Sequence, residues 1–388
     1  MTKSTLYDRV RELYQQHYGQ QALVVLSPGR INLIGEHTDY NEGFVLPAAI
    51  AQCAAVAIGL RQDNRIHLHA GDIQRSHQTT LDDISAAGEP WSAYLLGVID
   101  QVQRAGYTLT GMNLVLLSDV PVGAGMSSSA AIECATIFGL NEAFGLGLDR
   151  MTMVRMAQRA ENTFVGVQCG IMDMFASLMG RKDHAIRIDC RSLEYQYVPL
   201  HLDRYRIVLF DTHVKHDLAS GTYNQRRREC EAGVARLQAI YPSLSSLRDA
   251  TAEMVEQVLA GDEDGTIYRR CRYVVAENAR VQEGSVLLRD HDLLAFGKLM
   301  FASHAGLRDD YEVSCAELDF LVDLAIAEPA IAGARMMGGG FGGCTINLVQ
   351  ADQVARISER FASLYQQYSR RSLGVYVTTP EDGSYRMH

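Results

Sequence analysis

The chain has 388 residues, of which 47% are hydrophobic and 21% are charged, and its formal net charge is −10. This composition is typical of a globular protein rather than a disordered one, and the length suggests two domains. The negative charge argues against a general binder of nucleic acids or anionic membranes, although it is compatible with a local anion site. No run approaches about 18 consecutive apolar residues, so we expect no membrane span.

The eight cysteines are scattered and form no CxxC pair. A chain of this length does not need disulfides for stability, so we expect free thiols and a reducing, cytoplasmic location. The start of the sequence has no charged-then-apolar signal pattern. No His/Cys cluster has zinc spacing.

Hydrophobic periodicity predicts an amphipathic first helix at residues 4–18 and then a largely β region. The predicted strands in this region are 22–26, 44–60, 65–70 and 112–117. Residues 27–43 carry charges that a core strand would avoid. Helices are predicted to follow at 130–144, 150–163 and 171–179, and strands at 184–189 and 205–211.

The second half is predicted to be mostly helical. The expected helices are 223–240, 252–259, 267–288, 315–327 and 352–368, with a last strand at 374–378. The order of elements indicates an α+β fold rather than strict βαβ alternation. We place a domain boundary near residue 200, which gives domains 1–200 and 201–388.

Residues 121–131 have the plan of an anion-binding loop, because a strand, a glycine turn, three serines and a helix follow one another. Glycines tolerate positive φ, serines can cap a helix start, and the helix N-terminus attracts phosphate. The alternative is a plain capped turn. The loop lacks the lysine of a Walker A motif and the x-x-G of a dinucleotide fingerprint, so we interpret it as another kind of nucleotide loop. Its candidate nucleotide-binding residues are Gly123, Ala124, Gly125, Met126, Ser127, Ser128 and Ser129.

Glu161 is the first candidate for a metal ligand. Without a lysine in the loop, phosphate charge must be met by the helix dipole, a metal and other basic groups. One loop serine and Glu161 would suffice for Mg²⁺, which also keeps waters and binds phosphates. The alternative is an exposed helix acid.

Arg30, Glu36, His37 and Asp39 form a second polar cluster in a stretch interrupted by glycines. Arginine beside carboxylates suits a polyhydroxylated ligand such as a sugar. The alternative is a surface turn with a local ion pair, but the apolar flanks favour a pocket wall.

Asp173 lies among apolar residues in the segment 169–175. It is either a functional base or a helix-start acid stabilised by the dipole. The glycine run 338–343 either packs one backbone against another or wraps a ligand. We interpret the charged stretch 223–231 as a solvated helix face, and Trp91 and Tyr94 as core residues.

Together these segments resemble the motifs of the small-molecule kinase superfamily that includes galactokinase, homoserine kinase, mevalonate kinase and phosphomevalonate kinase. The match is closest to the galactokinases. Residues 28–43 resemble that family's galactose signature, 121–131 its ATP loop and 338–344 its third motif. The resemblance extends from about residue 8 to 380.

The resemblance implies a two-domain α+β fold, with an N-terminal domain like ribosomal protein S5 domain 2 and the site in the interdomain cleft. It implies ATP-dependent phosphorylation of α-D-galactose at the C1 hydroxyl, with Mg²⁺. Asp173 would be the base, and Arg30 would stabilise the transferred phosphoryl group. Mg²⁺ would be bound by Ser129, or a neighbouring serine of 127–129, together with Glu161. The implied sugar-binding residues are Glu36, His37, Thr38, Asp39, Gly170, Asp173 and Tyr223.

Two alternatives stay open, a non-catalytic sensor of sugar and ATP and a kinase for a related sugar such as galactosamine or N-acetylgalactosamine. We expect no nucleic-acid or membrane partner, and a monomer or weak homodimer. Met174 stands where the family has glutamine, and Met337 where it has a small hydroxyl residue. Both departures could alter polar support around the site.

Overall fold

The computed structural model describes residues 2–85, 89–214, 219–261 and 264–387. It is α+β, as predicted. Among these residues, no helix combines the length and apolar character needed to cross a membrane. All eight cysteines lie in the described ranges, and none of them is in a disulfide bond, as expected.

The N-terminal half begins with a helix and a run of five strands, and continues with a helix, a strand, three helices and two strands. In chain order they are α1 (Lys3–Tyr18), β1 (Leu23–Asn32), β2 (Phe44–Val45), β3 (Pro47–Leu60), β4 (Arg65–Ala70), β5 (Arg75–Thr80), α2 (Ser92–Arg104), β6 (Met112–Ser118), α3 (Ser128–Phe144), α4 (Arg150–Ala160), α5 (Met172–Met179), β7 (His184–Asp189) and β8 (Tyr195–Pro199).

Elements of the C-terminal half are mainly helical. In chain order they are β9 (Tyr205–Asp211), α6 (Ala219–Gln238), α7 (Ala252–Leu259), α8 (Thr266–Arg289), α9 (Leu293–Ala305), α10 (Ala316–Ile326), β10 (Ile331–Met336), β11 (Cys344–Gln350), α11 (Val354–Ser369), β12 (Gly374–Thr378) and β13 (Tyr385–Met387).

A six-stranded sheet with the order β13-β1-β3-β6-β4-β5 forms the framework of the N-terminal half. Its strands are antiparallel except for the β4–β6 pair. Alternate residues of β3 face opposite sides, as the period of two requires. Ala55 and Ala57 pack in the cluster that contains α1 residues, whereas Ala54 and Val56 pack in the cluster that contains α3 residues. Both faces of the central strands are therefore buried.

A four-stranded antiparallel sheet with the order β10-β11-β9-β12 lies in the C-terminal half. One face of β9 packs with α10 and α11, through Val208 and Phe210. The other face joins the large core of the N-terminal half, through Ile207 and Leu209. Strand β13 also crosses back to pair with β1. The two halves thus share a core and a sheet, and the boundary near residue 200 stays a prediction.

Most predicted helices and strands are confirmed to within a few residues, but one segment differs in an informative way. Residues 27–32 continue β1 instead of leaving it, with an irregularity between Pro28 and Arg30. A strand tolerates these polar side chains because they are paired, as when Asn32 accepts a hydrogen bond from the Leu46 amide. Helices α2 and α9 and strands β5, β8, β10 and β13 were not predicted.

Candidate active site

A cavity of about 470 Å³ lies where the two halves meet. Its lining comes from the polar cluster at the end of β1, the segment before α5, the start of α6 and the glycine run. The lining residues are Arg30, Glu36, His37, Asp39, Gly166, Val167, Gln168, Cys169, Gly170, Met172, Asp173, Tyr223, Asn224, Gly338, Gly339 and Gly340. The cleft location predicted for the site is confirmed, and distant sequence motifs meet there.

Arg30 and Asp173 form a bidentate ion pair at the edge of this cavity. Arg30 Nε donates to Asp173 Oδ1 at 2.8 Å, and Nη2 donates to Oδ2 at 2.9 Å. Arg30 is buried, whereas the Asp173 side chain keeps 24% exposure. Arg30 Nη1 also donates to the Gly125 carbonyl. A planar guanidinium fixes a carboxylate in one orientation in this way, so Asp173 is held facing the cavity and the glycine loop.

The loop between β6 and α3 approaches β1 through its backbone. The Arg30 amide donates to the Met126 carbonyl at 3.1 Å, and a Cβ at Gly29 would lie only 2.6 Å from that oxygen. Gly123 and Gly125 have φ of 81° and 74°, as a glycine turn requires. The side chains of Ala124 and Met126 are fully buried, so these residues can offer a ligand only backbone groups.

Ser127 does not cap α3, contrary to the expectation for the serine run. It occupies the N-cap position with φ of 56°, and its side chain makes no capping hydrogen bond. Its hydroxyl donates instead to Asp173 Oδ2. The first N–H groups of α3 consequently receive no hydrogen bond from the Ser127 side chain, which leaves them more available to an anionic ligand.

Glu161 lies at the end of α4, in a single π-helical turn, and is 5% exposed. Burial raises the pKa of the Glu161 carboxyl, while hydrogen bonds from Cys169 and Ser129 oppose that shift. The Cys169 thiol lies 3.2 Å from Glu161 Oε2. The structure thus brings together Ser129 and Glu161, the two predicted metal ligands. Within the described ranges, no group of three acidic, histidine or cysteine side chains has metal-binding geometry.

Glu36 and His37 face the cavity as buried groups with defined partners. Glu36 Oε1 accepts from the Gly338 amide at 2.8 Å and from Arg335 Nη2 at 3.0 Å. His37 Nδ1 lies 2.8 Å from the Tyr40 hydroxyl, while its Nε2 has no hydrogen-bond partner in the described part of the chain. Burial lowers the pKa of His37 to about 3, so the imidazole is neutral at physiological pH.

Asp39 lies against the backbone of Gly170, where any Cβ would clash with the Asp39 carboxylate. Burial is the main reason that the pKa of Asp39 is raised to about 6, and the negative charges of Asp173 and Glu36 act in the same direction, against hydrogen bonds from backbone amides. Asp39 and Gly170 also line a second cavity of about 460 Å³ on the other side of this contact. The Asp39 side chain therefore borders both cavities.

Thr38 is the one predicted sugar-binding residue that does not line the cavity. Its side chain is fully buried, and its hydroxyl donates to the carbonyls of Gly35 and Phe44. This placement corrects the expectation of direct sugar contact. Thr38 closes the turn that carries Glu36, His37 and Asp39, because its hydroxyl is already used by the backbone.

Arg335 is a functional-site residue that the sequence analysis missed. It is fully buried on β10 and donates to the carbonyls of Leu33, Asn32 and Met336 as well as to Glu36. A charged residue in an otherwise apolar strand, directly before the glycine run, was the signal that could have identified it.

Helix α8 supplies two more side chains that hold the polar cluster and were also missed. Glu277 is fully buried and accepts from the Gly35 amide at 2.8 Å. Asn278 accepts from the Phe44 amide at 2.9 Å. The hydrophobic pattern predicted that residues 267–288 form a helix. Only the tertiary structure shows which turn the side chains of Glu277 and Asn278 contact.

The remaining expectations are partly corrected. Tyr223 lines the cavity, and Arg226 is 7% exposed and donates to the carbonyls of Tyr311 and Glu312, so this helix face is not wholly solvated. Met174 and Met337 are buried in the large core and do not line the cavity. These two departures from the family pattern therefore fill apolar space.

Three family descriptions match the chain. They are the galactokinase galactose-binding signature over residues 12–60, the N-terminal domain of GHMP kinases over 93–181 and the C-terminal domain of GHMP kinases over 285–367. The polar cluster lies in the first match, and the serine loop, Glu161 and Asp173 lie in the second.

Curated relatives named galactokinase match over nearly the whole chain. The one from Roseiflexus sp. is 42% identical over 96% of this chain and 95% of its own length, and the one from Halalkalibacterium halodurans is 40% identical over 93% and 91%. The solved structure of Lactococcus lactis galactokinase complexed with galactose superposes with a TM-score of 0.93 at 34% identity, and covers 98% of this chain and 100% of its own. A mevalonate kinase structure at 17% identity, with a TM-score of 0.65, shares the fold. The chain belongs to the galactokinase family.

Proposed function

We propose that this protein transfers the γ-phosphoryl group of ATP to the C1 hydroxyl of α-D-galactose, giving galactose 1-phosphate and ADP. The observation that carries this proposal is the Arg30–Asp173 pair, which joins the sugar-sized cavity to the glycine-serine loop. Phosphoryl transfer needs an in-line nucleophile and a cation on the developing charge, and little other covalent chemistry.

Asp173 is the proposed base. Its carboxylate faces the cavity and can accept the proton of a sugar hydroxyl as that oxygen attacks phosphorus. Arg30 holds the carboxylate in orientation and places positive charge beside the transferred phosphoryl group. The contact of Arg30 with the Gly125 carbonyl supports this second role, because it ties the guanidinium to the phosphate side.

Sugar recognition is proposed to rest on Glu36, His37, Asp39, Tyr223 and the Gly170 backbone. Carboxylates accept hydrogen bonds from sugar hydroxyls, and neutral His37 has a free ring nitrogen for one more. A buried polar group left unpaired by the wrong sugar costs affinity, so such groups discriminate strongly. Thr38 supports the turn that presents them.

The loop residues 123–129 are proposed to bind the ATP phosphates through backbone amides and the N-terminus of α3. Ser129 and Glu161 fit a magnesium ion, because their side-chain oxygens lie close together. Waters and phosphate oxygens usually fill the remaining coordination positions of Mg²⁺. Bound there, the ion would neutralise part of the phosphate charge. Ser127 is the weaker candidate ligand, because its hydroxyl is engaged by Asp173.

The proposal is tested by measuring ADP release over a panel of monosaccharides with and without ATP and Mg²⁺. We expect galactose to give the highest kcat/KM. Faster turnover of another sugar would overturn the specificity, and binding of galactose without turnover would favour the sensor.

A kinase for C2-modified sugars is the second candidate, because the second cavity adjoins the first at Asp39, Gln168, Cys169 and Gly170. Galactosamine and N-acetylgalactosamine therefore belong in the panel. We further propose a cytoplasmic location, a monomer or weak homodimer, and domains 1–200 and 201–388. The free thiols support the location.

A further inference from the structure

Glu133 is a buried carboxylate with no assigned role. It lies on α3, one turn after the serine loop, and is 0% exposed. Neither carboxylate oxygen has a hydrogen-bond partner in the described part of the chain. A buried carboxyl group without a hydrogen-bond partner is costly, so a bound partner at this position would stabilise it.

The position of Glu133 relates it to the proposed cation site. Ser129 and Glu133 are four residues apart on one helix, so their side chains lie on the same face. The Ser129 hydroxyl lies close enough to the Glu161 carboxyl to lower its pKa. Burial raises the pKa of Glu133 well above its usual range, and the negative charges of Glu161 and Asp173 raise it further. Burial and the negative charges of Glu161 and Glu133 raise the pKa of Tyr94 on α2. Both carboxyl groups therefore lie near this side chain.

A cation bound at Ser129 and Glu161 would favour the ionised form of the Glu133 carboxyl, because opposite charges attract. The nearby Arg30 cannot take this role, since it is already engaged by Asp173. Within the described ranges these side chains do not form a three-ligand metal cluster. A magnesium ion bound by few protein oxygens keeps several waters, whose protons point outward to carboxylates.

We propose that Glu133 is a positioning residue that accepts a hydrogen bond from a water in the hydration shell of the cation held by Ser129 and Glu161. The inference rests on the proposed function, since it assumes the cation site. Glu133 would orient the hydrated ion without contacting it or the sugar. Its partner is thus supplied only when the metal and nucleotide are bound.

The test compares nucleotide affinity with and without metal. Calorimetry with the β,γ-imido analogue of ATP, in Mg²⁺ and in EDTA, gives the factor by which Mg²⁺ tightens binding. We expect Glu133→Gln to lower this factor by roughly 10-fold or more, the usual effect of losing an outer-shell partner. Affinity in EDTA and the KM for galactose should be unchanged, and high Mg²⁺ should restore turnover. Glu142→Gln, a partly exposed acid further along α3, is the matched control.

The outcomes separate the inference from the function. The inference is overturned if the factor stays within twofold of wild type in Glu133→Gln but falls in Glu161→Gln. That result would leave the proposed function intact. An unchanged factor in both variants overturns the cation site itself. Glu133→Met, of similar volume and uncharged, guards against misfolding of the first variant. The factor by which Mg²⁺ tightens binding should fall in Glu133→Met as much as in Glu133→Gln. If the carboxylate had only a structural role, this factor would stay at the wild-type value in both variants.

Discussion

The sugar segment, residues 27–46, and the phosphate loop, residues 121–129, are built in opposite ways. Polar groups of the sugar segment are buried and bonded to side chains from the C-terminal half, above all Arg335 and Glu277. The phosphate loop contacts β1 through backbone atoms, and its Ser127 hydroxyl donates to Asp173. Val122 at the tip of the loop is 77% exposed. A Cβ at Gly125 would lie 3.3 Å from the Met337 carbonyl.

This difference follows from what each region is proposed to bind. Sugars differ in the placement of hydroxyls, so discrimination requires side chains held in one geometry and shielded from water. Phosphate is recognised by N–H groups and a helix dipole, which any suitable turn before a helix provides. Specificity is therefore expected to depend on long-range contacts, and nucleotide binding on local backbone conformation.

The largest expected effect is at the junction of the two regions. Asp173→Asn should lower kcat by about 10²–10⁴-fold, the usual contribution of a general base, because the amide cannot accept the sugar proton. Stopped-flow or coupled measurement of ADP release gives kcat, and calorimetry should show that the ATP analogue still binds. Retention of a large share of wild-type turnover would mean that Asp173 is not the base.

Arg335→Met should destabilise the protein by about 3–5 kcal/mol, because it leaves the buried Glu36 carboxylate without its cationic partner. Denaturant unfolding measures the loss, and the KM for galactose should rise in the folded fraction. The control is Arg227→Met, which removes an exposed pair with Glu231 and should cost less than about 1 kcal/mol. Equal losses in both variants would contradict the long-range support of the sugar segment.

Lowering the pH should weaken sugar use through Asp39, whose pKa is about 6. Between pH 7 and pH 5 we expect kcat/KM for galactose to fall by about tenfold, because only the ionised carboxylate accepts two hydroxyls. The pH profile of kcat/KM should be flatter in Asp39→Asn. The kcat/KM of this variant at pH 7 should already be low. A wild-type profile that stays level to pH 5 would remove Asp39 from recognition.

The free energy of unfolding should change with pH in the opposite direction to kcat/KM for galactose. The pKa of Asp39 is higher in the folded chain than in the unfolded one, so the native state binds the proton more tightly. This group alone makes the free protein more stable as the pH falls from above 6 towards about 4. Asp39→Asn should therefore raise the Tm at pH 7.5 while it lowers affinity for galactose. A lower Tm would indicate that the carboxylate has a structural partner.

The effect expected in the phosphate loop is on the use of ATP rather than of galactose. Gly125→Ala places a side chain at φ of 74°, at a cost of about 1–2 kcal/mol, and should lower kcat/KM for ATP by roughly 5- to 30-fold. Gly145→Ala is the matched control, because it has φ of 61° in open space beyond α3. It should lose similar stability and leave ATP kinetics unchanged. Equal ATP kinetics in the two variants would contradict the local role of the loop.

Local signals predicted much of the fold and of the site. The periodicity of residues 252–259 and 374–378 gave α7 and β12 at the observed bounds, because period and turn residues act over a few positions. Arg30, Glu36, His37, Asp39 and Asp173 were likewise candidates from their chemistry and setting. The sequence could not show that Thr38 turns inward, since that depends on which carbonyls the fold brings within reach.

What the sequence by itself determined was the kind of chemistry, since glycines, serines and acids at close spacing specify what a loop can bind. What only the tertiary structure decided was which of these groups meet. Arg335 and Glu277 are distant in sequence from the sugar segment, and their roles depend on burial and on partners hundreds of residues away. Glu133 lies close to the serine loop in sequence, but only the structure shows that its carboxyl is buried without a hydrogen-bond partner in the described ranges. A buried charge is stabilised by contacts across the whole fold, and no short window of sequence contains them.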